Sequence, residues 1–366
     1  DGQRHVQLSA QHDCRAMTLG AVSTQYLANS LSLSVTQAQA ELTTLQTEAT
    51  TGQYADLGLQ LGEESGYELL LKNQNNLLQT LTSANGVVSM NLSATQSSLD
   101  SIRSGAQTAL QDLTEWSSAS GTDATLQDLG TSSLQSFTQA MNATSNGQYV
   151  FGGVNSGVAP IADYFSSPTS AAKTAVANAF SSYLTSVGAT ASTVSASQMQ
   201  TFLASAPFTS IFGSNWTTDW SSASSVNTSS EIAPGQTAET STNANQHGFQ
   251  QLAQAYAMLT EFGAAPLSAS AQQAVASTAS SLISSALTSL TNTEAVVGAA
   301  QSQITDANSA MSSQMTLLQQ QVDSLDNVNS YSVATQLSTL QTQLETAYQL
   351  TAQISQLSLA KFLPVA

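Results

Sequence analysis

Apolar residues recur at alternating spacings of three and four near the start of the chain. The first run consists of Ala28, Leu31, Val35, Ala38, Leu42, Leu45 and Ala49. This heptad spacing is typical of a coiled-coil seam, so it predicts a helix that packs against a partner helix. Gly52 follows as a plausible end of that helix. The glycine-containing stretch from Tyr54 to Gly66 is predicted to be an irregular connector.

A second, longer run of the same kind predicts a helix from about Leu69 to Trp116. Its positions are Leu71, Gln74, Leu78, Leu81, Asn85, Val88, Leu92, Thr95, Leu99, Ile102, Ala106, Ala109 and Leu113. At 1.5 Å per residue such a helix is roughly 70 Å long, which is more than a globular domain of this size needs. Polar residues at seam positions are expected to fix the register and the choice of partner.

The C-terminal part of the chain repeats the pattern in two runs. The first consists of Val297, Gln301, Ile304, Asn308, Met311, Met315, Leu318, Val322 and Leu325. After a break at 327–332, the second consists of Val333, Leu337, Leu340, Leu344, Ala347, Thr351 and Ile354. Because seam-bearing helices lie at both ends, the most economical fold pairs the ends in an antiparallel bundle. Apolar faces left over must then be buried against other copies of the chain.

The middle of the chain lacks a sustained heptad and holds most of the prolines and two of the three tryptophans. We therefore predict a mainly α fold, a long antiparallel coiled-coil rod built from the N- and C-terminal segments, with a small inserted mixed α/β outer domain. The expected division is an extension or cloning remnant at 1–16, a terminal coiled coil of 17–52 with 333–366, a helical rod of 53–146 with 250–332, and the outer domain at 147–249.

Charge is sparse and strongly acidic. Only 8% of the residues are charged, against roughly 25% in an average protein. The net charge is -17, and the six bases lie far apart along the sequence. Phosphate groups bind clustered Lys or Arg, so neither nucleic acid nor an anionic membrane is an expected partner. The sequence has no apolar run long enough to span a membrane, and its start lacks the apolar core of a Sec signal, so any export is expected to use another route.

The candidates for chemistry are few, and no catalytic, cofactor or metal site is predicted. Cys14 is the only cysteine, and His247 is the only histidine outside the first sixteen residues. A zinc peptidase would need an HExxH motif, which the sequence lacks. The neighbouring acids Glu63 and Glu64 are expected to be solvated, since adjacent helical residues do not face each other across a substrate. Trp216 and its neighbour four residues on are expected in the core of the insert, although they could instead stack on a sugar.

Several segments carry a resemblance to the flagellin superfamily over nearly all of residues 17–366. The run NATSNGQYVFGGVNSGVAPIADYF at 142–165 is similar to the family passage NGxYxFGGxxxxxxP, and 37–62 resembles the family's first helix with its following loop. Residues 210–232 resemble outer domains of alphaproteobacterial members. The ending LSLAKFL at 357–363 looks like the close of the hook-associated junction proteins of the FlgL type. The usual DDP passage is replaced here by Asp56-Leu57-Gly58.

The resemblance implies a structural, non-enzymatic subunit of the hook-filament junction. It implies export through the flagellar type III apparatus with a chaperone, and a helical homo-oligomer between the preceding hook-associated protein FlgK and flagellin, in the extracellular flagellum. The alternatives are flagellin itself, the bulk filament subunit, and an extracellular glycan- or surface-binding module. The predicted assembly seam is Leu31, Val35, Leu42, Leu45, Leu337, Leu340, Leu344, Ile354, Leu357, Leu359, Phe362 and Leu363. In the isolated chain we expect proteases to remove both ends and to spare residues 60–325.

Overall fold

The computed structural model describes residues 9–119, 123–166, 169–263 and 266–362. Side chains are described for 26–118, 125–166, 169–263 and 266–355. The helices are α1 Ser9–Thr51, α2 Leu57–Leu61, α3 Ser65–Ala119, α4 Asp123–Met141, α5 Ala171–Val187, α6 Ala196–Leu203, α7 Ala206–Phe212, α8 Trp216–Asp219, α9 His247–Phe262, α10 Ala269–Asp326 and α11 Ser330–Phe362. The strands are β1 Thr144–Ser145, β2 Gln148–Tyr149, β3 Ser229–Ala233 and β4 Gln236–Glu239. The mainly α prediction is confirmed, with long helices from both ends of the chain and two small antiparallel sheets.

The chain forms two compact units. One comprises the described residues up to 75 together with those from 316 onward, and the other comprises the described residues between 76 and 315. In the first unit α1 packs against α11 in antiparallel orientation, which confirms the predicted pairing of the chain ends. The N-terminal turns of α3 and the last turns of α10 belong to the same unit. The predicted four-part division of the chain stays a prediction.

The connector between α1 and α3 is more regular than the glycine content suggested. It holds α2 and a short 3-10 helix, Gly62–Glu64. Asp56 explains the start of α2, because its Oδ1 accepts a hydrogen bond of 2.9 Å from the backbone N–H of Leu59. A side-chain acceptor at this position satisfies a donor that the helix cannot satisfy itself. The prediction of an irregular segment was therefore wrong for these residues.

The second unit contains the heptad faces of α3 and α10 and a packed pair of helices, α4 and α9. Leu92, Leu99 and Ile102 of α3 are buried, as are Val297 and Ile304 of α10. The predicted seams are thus confirmed as the buried faces of these helices. One position of the α3 seam was wrong, because Gln74 is exposed.

The polar pair Asn85 and Asn308 joins three elements of this unit. Asn85 Nδ2 donates to Asn308 Oδ1 at 2.8 Å and to the carbonyl oxygen of Ile232 in β3 at 2.7 Å. Asn85 is fully buried, and these two bonds satisfy its amide nitrogen, while its Oδ1 has no hydrogen-bond partner among the described residues. The β3–β4 hairpin is therefore attached to α3 and α10 by a side chain that the heptad analysis placed on the seam.

The passage NGQYVFGG forms a hairpin and a close crossing. Asn146 and Gly147 both have positive φ, of 51° and 77°, as the two-residue turn between β1 and β2 requires. Gly153 has a φ of 59°, and an added Cβ would lie 2.7 Å from the carbonyl oxygen of Ser224. The backbone N–H of Val154 donates to the carbonyl oxygen of Val226 at 3.0 Å. This segment thus packs by backbone contacts against residues 224–226, which lie just before β3.

The insert has an aromatic core. The rings of Phe180 and Phe202 lie 5.2 Å apart, and Trp220 stacks on Trp216 at 5.6 Å and on Tyr164 at 5.3 Å. Both tryptophans are fully buried, so the expectation that they form a domain core is confirmed. Helices α5 to α8 and the β3–β4 hairpin give the insert the mixed structure that was predicted.

Candidate assembly site

A small apolar cluster lies at the end of the α1–α11 pair where α1 ends and α11 begins, which we call the base of the pair. Leu45, Val328, Val333 and Leu340 are each less than a tenth exposed. Ala38, Leu42, Tyr54 and Leu337 pack around them. Four of the predicted seam residues, two from each helix, therefore meet in one cluster. Burying apolar side chains is the main favourable term in such a contact, at about 25 cal/mol per Å².

Backbone hydrogen bonds close the pair just below this cluster. The N–H of Val328 donates to the carbonyl oxygen of Gly52 at 3.0 Å, and the N–H of Tyr54 donates to that of Asp326 at 3.0 Å. Gln53 and Asn327 lie opposite each other as an antiparallel bridge. Gly52 has a φ of 74°, a conformation that glycine adopts without a steric cost and that ends α1. The C-terminal end of α1 and the N-terminal end of α11 therefore lie side by side.

An ion triad lies beside this bridge. Lys72 Nζ donates to Asp326 Oδ2 at 2.8 Å and also pairs with Glu68, one helical turn earlier on α3. The side chains of Asp326 and Glu68 are only 3% and 11% exposed, whereas that of Lys72 is 42% exposed. The hydrogen bonds to Asp326 and then to Glu68 raise the pKa of Lys72. The contact of Lys72 with Asp326 was not predictable from local pattern, because 254 positions separate the two residues.

The rest of the predicted seam becomes less buried away from the base. Leu344 is 6% exposed, whereas Leu31, Val35 and Ile354 are half-buried. Gln39 Nε2 donates to the hydroxyl oxygen of Tyr348 at 2.6 Å, which shows the antiparallel alignment. The remaining predicted residues lie outside the described side chains; they are Leu357, Leu359, Phe362 and Leu363.

Large apolar side chains also lie on the outward surface of the pair. Tyr26 and Leu33 of α1 are 77% and 61% exposed, and Tyr331 and Leu350 of α11 are 84% and 45% exposed. Tyr26 and Leu33 are seven positions apart, so they share one line on the helix, on the side opposite Leu31 and Val35. An open groove of ≈ 240 Å³ runs between the two helices, with Leu45 and Leu340 at its floor and polar residues along its sides. The surface therefore combines a partly covered seam with uncovered apolar positions.

The other candidates from the sequence do not form a reactive site. His247 is exposed at the first residue of α9, as expected for a helix start. Glu63 and Glu64 are exposed in the short 3-10 helix. Within the described residues, no group of three or more His, Cys, Asp or Glu side chains is arranged to hold a metal ion. None of the described helices is both long and apolar enough to cross a membrane.

The two ends of the chain pair as helices and leave large apolar side chains exposed, a pattern typical of subunits that associate with other chains. Two family models match it by sequence. The bacterial flagellin N-terminal helical region matches residues 22–156, and the bacterial flagellin C-terminal helical region matches residues 280–363. Together they cover more than half of the chain. The protein belongs to the flagellin family; it is a structural component of the bacterial flagellum, in which such subunits self-assemble.

The fold of the chain is also similar to that of a solved structure. A solved structure described as a flagellar hook-associated protein from Vibrio parahaemolyticus aligns with a TM-score of 0.49 and 14% identity. The alignment covers 72% of the present chain and 97% of that one. No curated protein matches the chain significantly by sequence. The family assignment therefore depends on the two sequence matches, and the alphaproteobacterial lineage stays a prediction.

Proposed function

We propose that this protein is the subunit of the hook-filament junction. Its copies form a short helical layer that joins the preceding hook-associated protein, FlgK, to the flagellin filament. The observation that carries the proposal is the α1–α11 pair, whose core is a small cluster at one end while apolar side chains along its outward surface stay exposed. A neighbouring copy that covers these side chains completes their burial.

The charge of the pair supports contact between copies. Within 26–51 of α1 and 330–355 of α11, where side chains are described, there are three acids, Glu41, Glu48 and Glu345, and no base. Packing uncharged Ala, Leu, Ser, Thr and Gln surfaces avoids the desolvation cost of unpaired ions. Such a contact joins different faces of successive copies, so it is head-to-tail, and a head-to-tail contact whose rotation does not close builds a helix.

The junction role, as opposed to the bulk filament, is supported by the C-terminal sequence LSLAKFL at 357–363. It is similar to the close of junction proteins, and the Asn-Gln-x-Pro segment that precedes LSLL in many flagellins is missing from it. We further propose that the chain leaves the cell through the flagellar type III apparatus with a dedicated chaperone, and that the mature subunit is extracellular and has no enzymatic role.

Immunolabelling of purified flagella tests the location. The expected result is a single band at the hook end of each filament. A deletion strain should keep its hooks and release flagellin into the medium. Labelling along the whole filament, with thousands of copies, would instead support the alternative that the chain is flagellin.

The second alternative, a glycan- or surface-binding module, depended on accessible tryptophans. Trp216 and Trp220 are 1% and 2% exposed, and Trp216 Nε1 donates to Asn245 Oδ1 at 3.0 Å. Neither ring is available to stack on a sugar in this structure. The insert can still be tested directly, by glycan binding of the full chain compared with Trp216→Ala. Unchanged binding in the variant would show that this residue has no part in it.

A further inference from the structure

We infer that the insert and the two helices that flank it, α4 and α9, move as one rigid body, with Phe262 as the anchor residue that joins them. All of these elements belong to the unit between 76 and 315. Domains that touch through a small polar contact normally move relative to each other, whereas a large apolar contact prevents this. The contact between the insert and the two helices therefore decides whether the insert has a hinge.

Phe262 is the last residue of α9, and its side chain enters the aromatic core of the insert. Its ring centroid lies 4.7 Å from that of Phe180 in α5 and 5.6 Å from that of Phe202 in α6. The ring of Phe208 in α7 follows at 6.1 Å. Only 2% of Phe262 is exposed. Three helices of the insert thus pack around one side chain that comes from outside it, as an aromatic anchor does in a well-packed interface.

The end of α9 that carries Phe262 is itself fixed on α4. Gly263 ends α9, and an added Cβ there would lie 2.8 Å from the backbone nitrogen of Gln127 in α4. Gln127 Nε2 donates to the carbonyl oxygen of Thr260 at 3.2 Å. A Cβ added at Gly130 would also meet the backbone of Thr260. Because α4 and α9 cross with their backbones in contact, Phe262 cannot shift unless α4 shifts with it.

Two polar contacts attach the insert at points away from Phe262. Asn142, which follows α4, donates from Nδ2 to the carbonyl oxygen of Ile161 at 2.8 Å and accepts from the N–H of Ile161 at 3.0 Å. Ile161 also bridges to Ser221, so the Asn142 side chain takes the place of a third strand. The Tyr164 hydroxyl donates to Glu261 Oε1 in α9 at 3.2 Å. Rotation of the insert about the anchor would break both contacts, so it is opposed by buried polar groups as well as by packing.

The consequence is that α4 and α9 set the orientation of the insert. Every copy of the chain then presents the outer surface of the insert in the same place. A molecule that binds this surface meets a preorganised partner, and no entropy is lost in fixing a hinge. The rigid body is a property of the single chain, so it holds or fails independently of the junction role.

Distances between spin labels, measured by double electron–electron resonance on the full chain, test for a hinge. With Cys14→Ser as the background, Ser182→Cys labels α5 and Ser285→Cys labels α10; both serines are exposed. Helix α10 serves as the fixed frame, because a Cβ added at Gly248 of α9 would meet its backbone at 3.3 Å. The reference pair is Ser285→Cys with Ser302→Cys on α10 alone, whose distribution is broadened only by the labels. The insert pair should give a single distribution as narrow as the reference.

Phe262→Ala should broaden the distribution of the insert pair about twofold or more and leave the reference pair unchanged. Phe262→Leu keeps most of the apolar bulk and should broaden it less. The matched control is Phe137→Ala, because Phe137 is 3% exposed and its ring faces Phe249 and Tyr256 between α4 and α9. This control should lower the stability of the unit without broadening either distribution. Circular dichroism shows whether each variant keeps its helices.

A broad or double distribution for the insert pair in the otherwise unchanged chain would show a hinge and overturn the rigid body. This measurement stands even where Phe262→Ala does not fold. The role of Phe262 is wrong if neither of its variants broadens the distribution, or if Phe137→Ala broadens it equally.

Discussion

Shortening Leu340 to alanine tests whether the small cluster holds the terminal pair together. Leu→Ala changes in a buried core cost about 2–5 kcal/mol, depending on how well the site collapses. Leu340 is 8% exposed and lines the open groove between α1 and α11, so the space it vacates is continuous with solvent. We therefore expect the free energy of closing the pair to become about 2 kcal/mol less favourable, which is near the low end of that range. At about 1.4 kcal/mol per factor of ten, the open population rises roughly 30-fold.

Limited proteolysis of the isolated chain with subtilisin, sampled before the expected removal of both ends is complete, measures this open population. When opening is fast relative to cleavage, the initial rate of cleavage within 330–355 is proportional to the open fraction. Leu340→Ala should therefore be cut about 30-fold faster there than the wild type. Leu350→Ala is the control, since Leu350 is 45% exposed on the same helix and its loss should change stability by less than about 0.5 kcal/mol. Equal acceleration in the two variants, or none in Leu340→Ala, would refute the assignment of pair stability to the cluster.

Three other expectations follow from the second unit. Gly130→Ala should lower the stability of this unit by about 1–3 kcal/mol in urea unfolding followed by tryptophan fluorescence. The new Cβ would lie 2.7 Å from Leu259 Cβ and close to backbone atoms. The control Gly105→Ala, whose Cβ would meet no atom within 4 Å, should have no such effect. Asn85→Ala should cost about 1–3 kcal/mol in the same assay, since it leaves buried partners unsatisfied. Burial raises the pKa of Tyr164 and Tyr256 above the ordinary 10.0. Their contribution to the free energy of unfolding is therefore fully present below pH 10 and is lost as the pH rises above it. Absorbance at 295 nm should show these two phenols ionising only when the unit unfolds.

The repeat of apolar residues was sufficient to predict which helices pair, but not which residue of every helical turn faces the packed side. Leu71, Leu78 and Asn85 fit two heptad phases, one that continues through position 74 and one through position 75. The structure follows the second, with Gln74 exposed and Asn75 half-buried. The sequence favours neither, because both residues are polar amides. Burial is decided here by what α3 packs against.

Contacts between distant parts of the chain were not predictable from local pattern. Lys72 and Glu68 form an ordinary i, i+4 pair in the sequence, worth a few tenths of a kcal/mol on an exposed helix. Only the fold brings Asp326 to them and buries the acids. The same holds for the insert, where the tryptophans were expected in a core but their stacking with Tyr164 could not be derived from spacing.

The antiparallel bridge between Gln53 and Asn327 has a consequence for alignment. A seam that repeats every seven residues lets two helices slide by one heptad with nearly the same contacts, so the sequences of α1 and α11 alone specify their offset weakly. Hydrogen bonds at a fixed point, where α1 ends and α11 begins, remove that ambiguity. Deleting one heptad from the far end of α11 should thus shorten the pair without shifting the contact between Leu45 and Leu340, whereas inserting a residue beside Asn327 should misalign every contact beyond it.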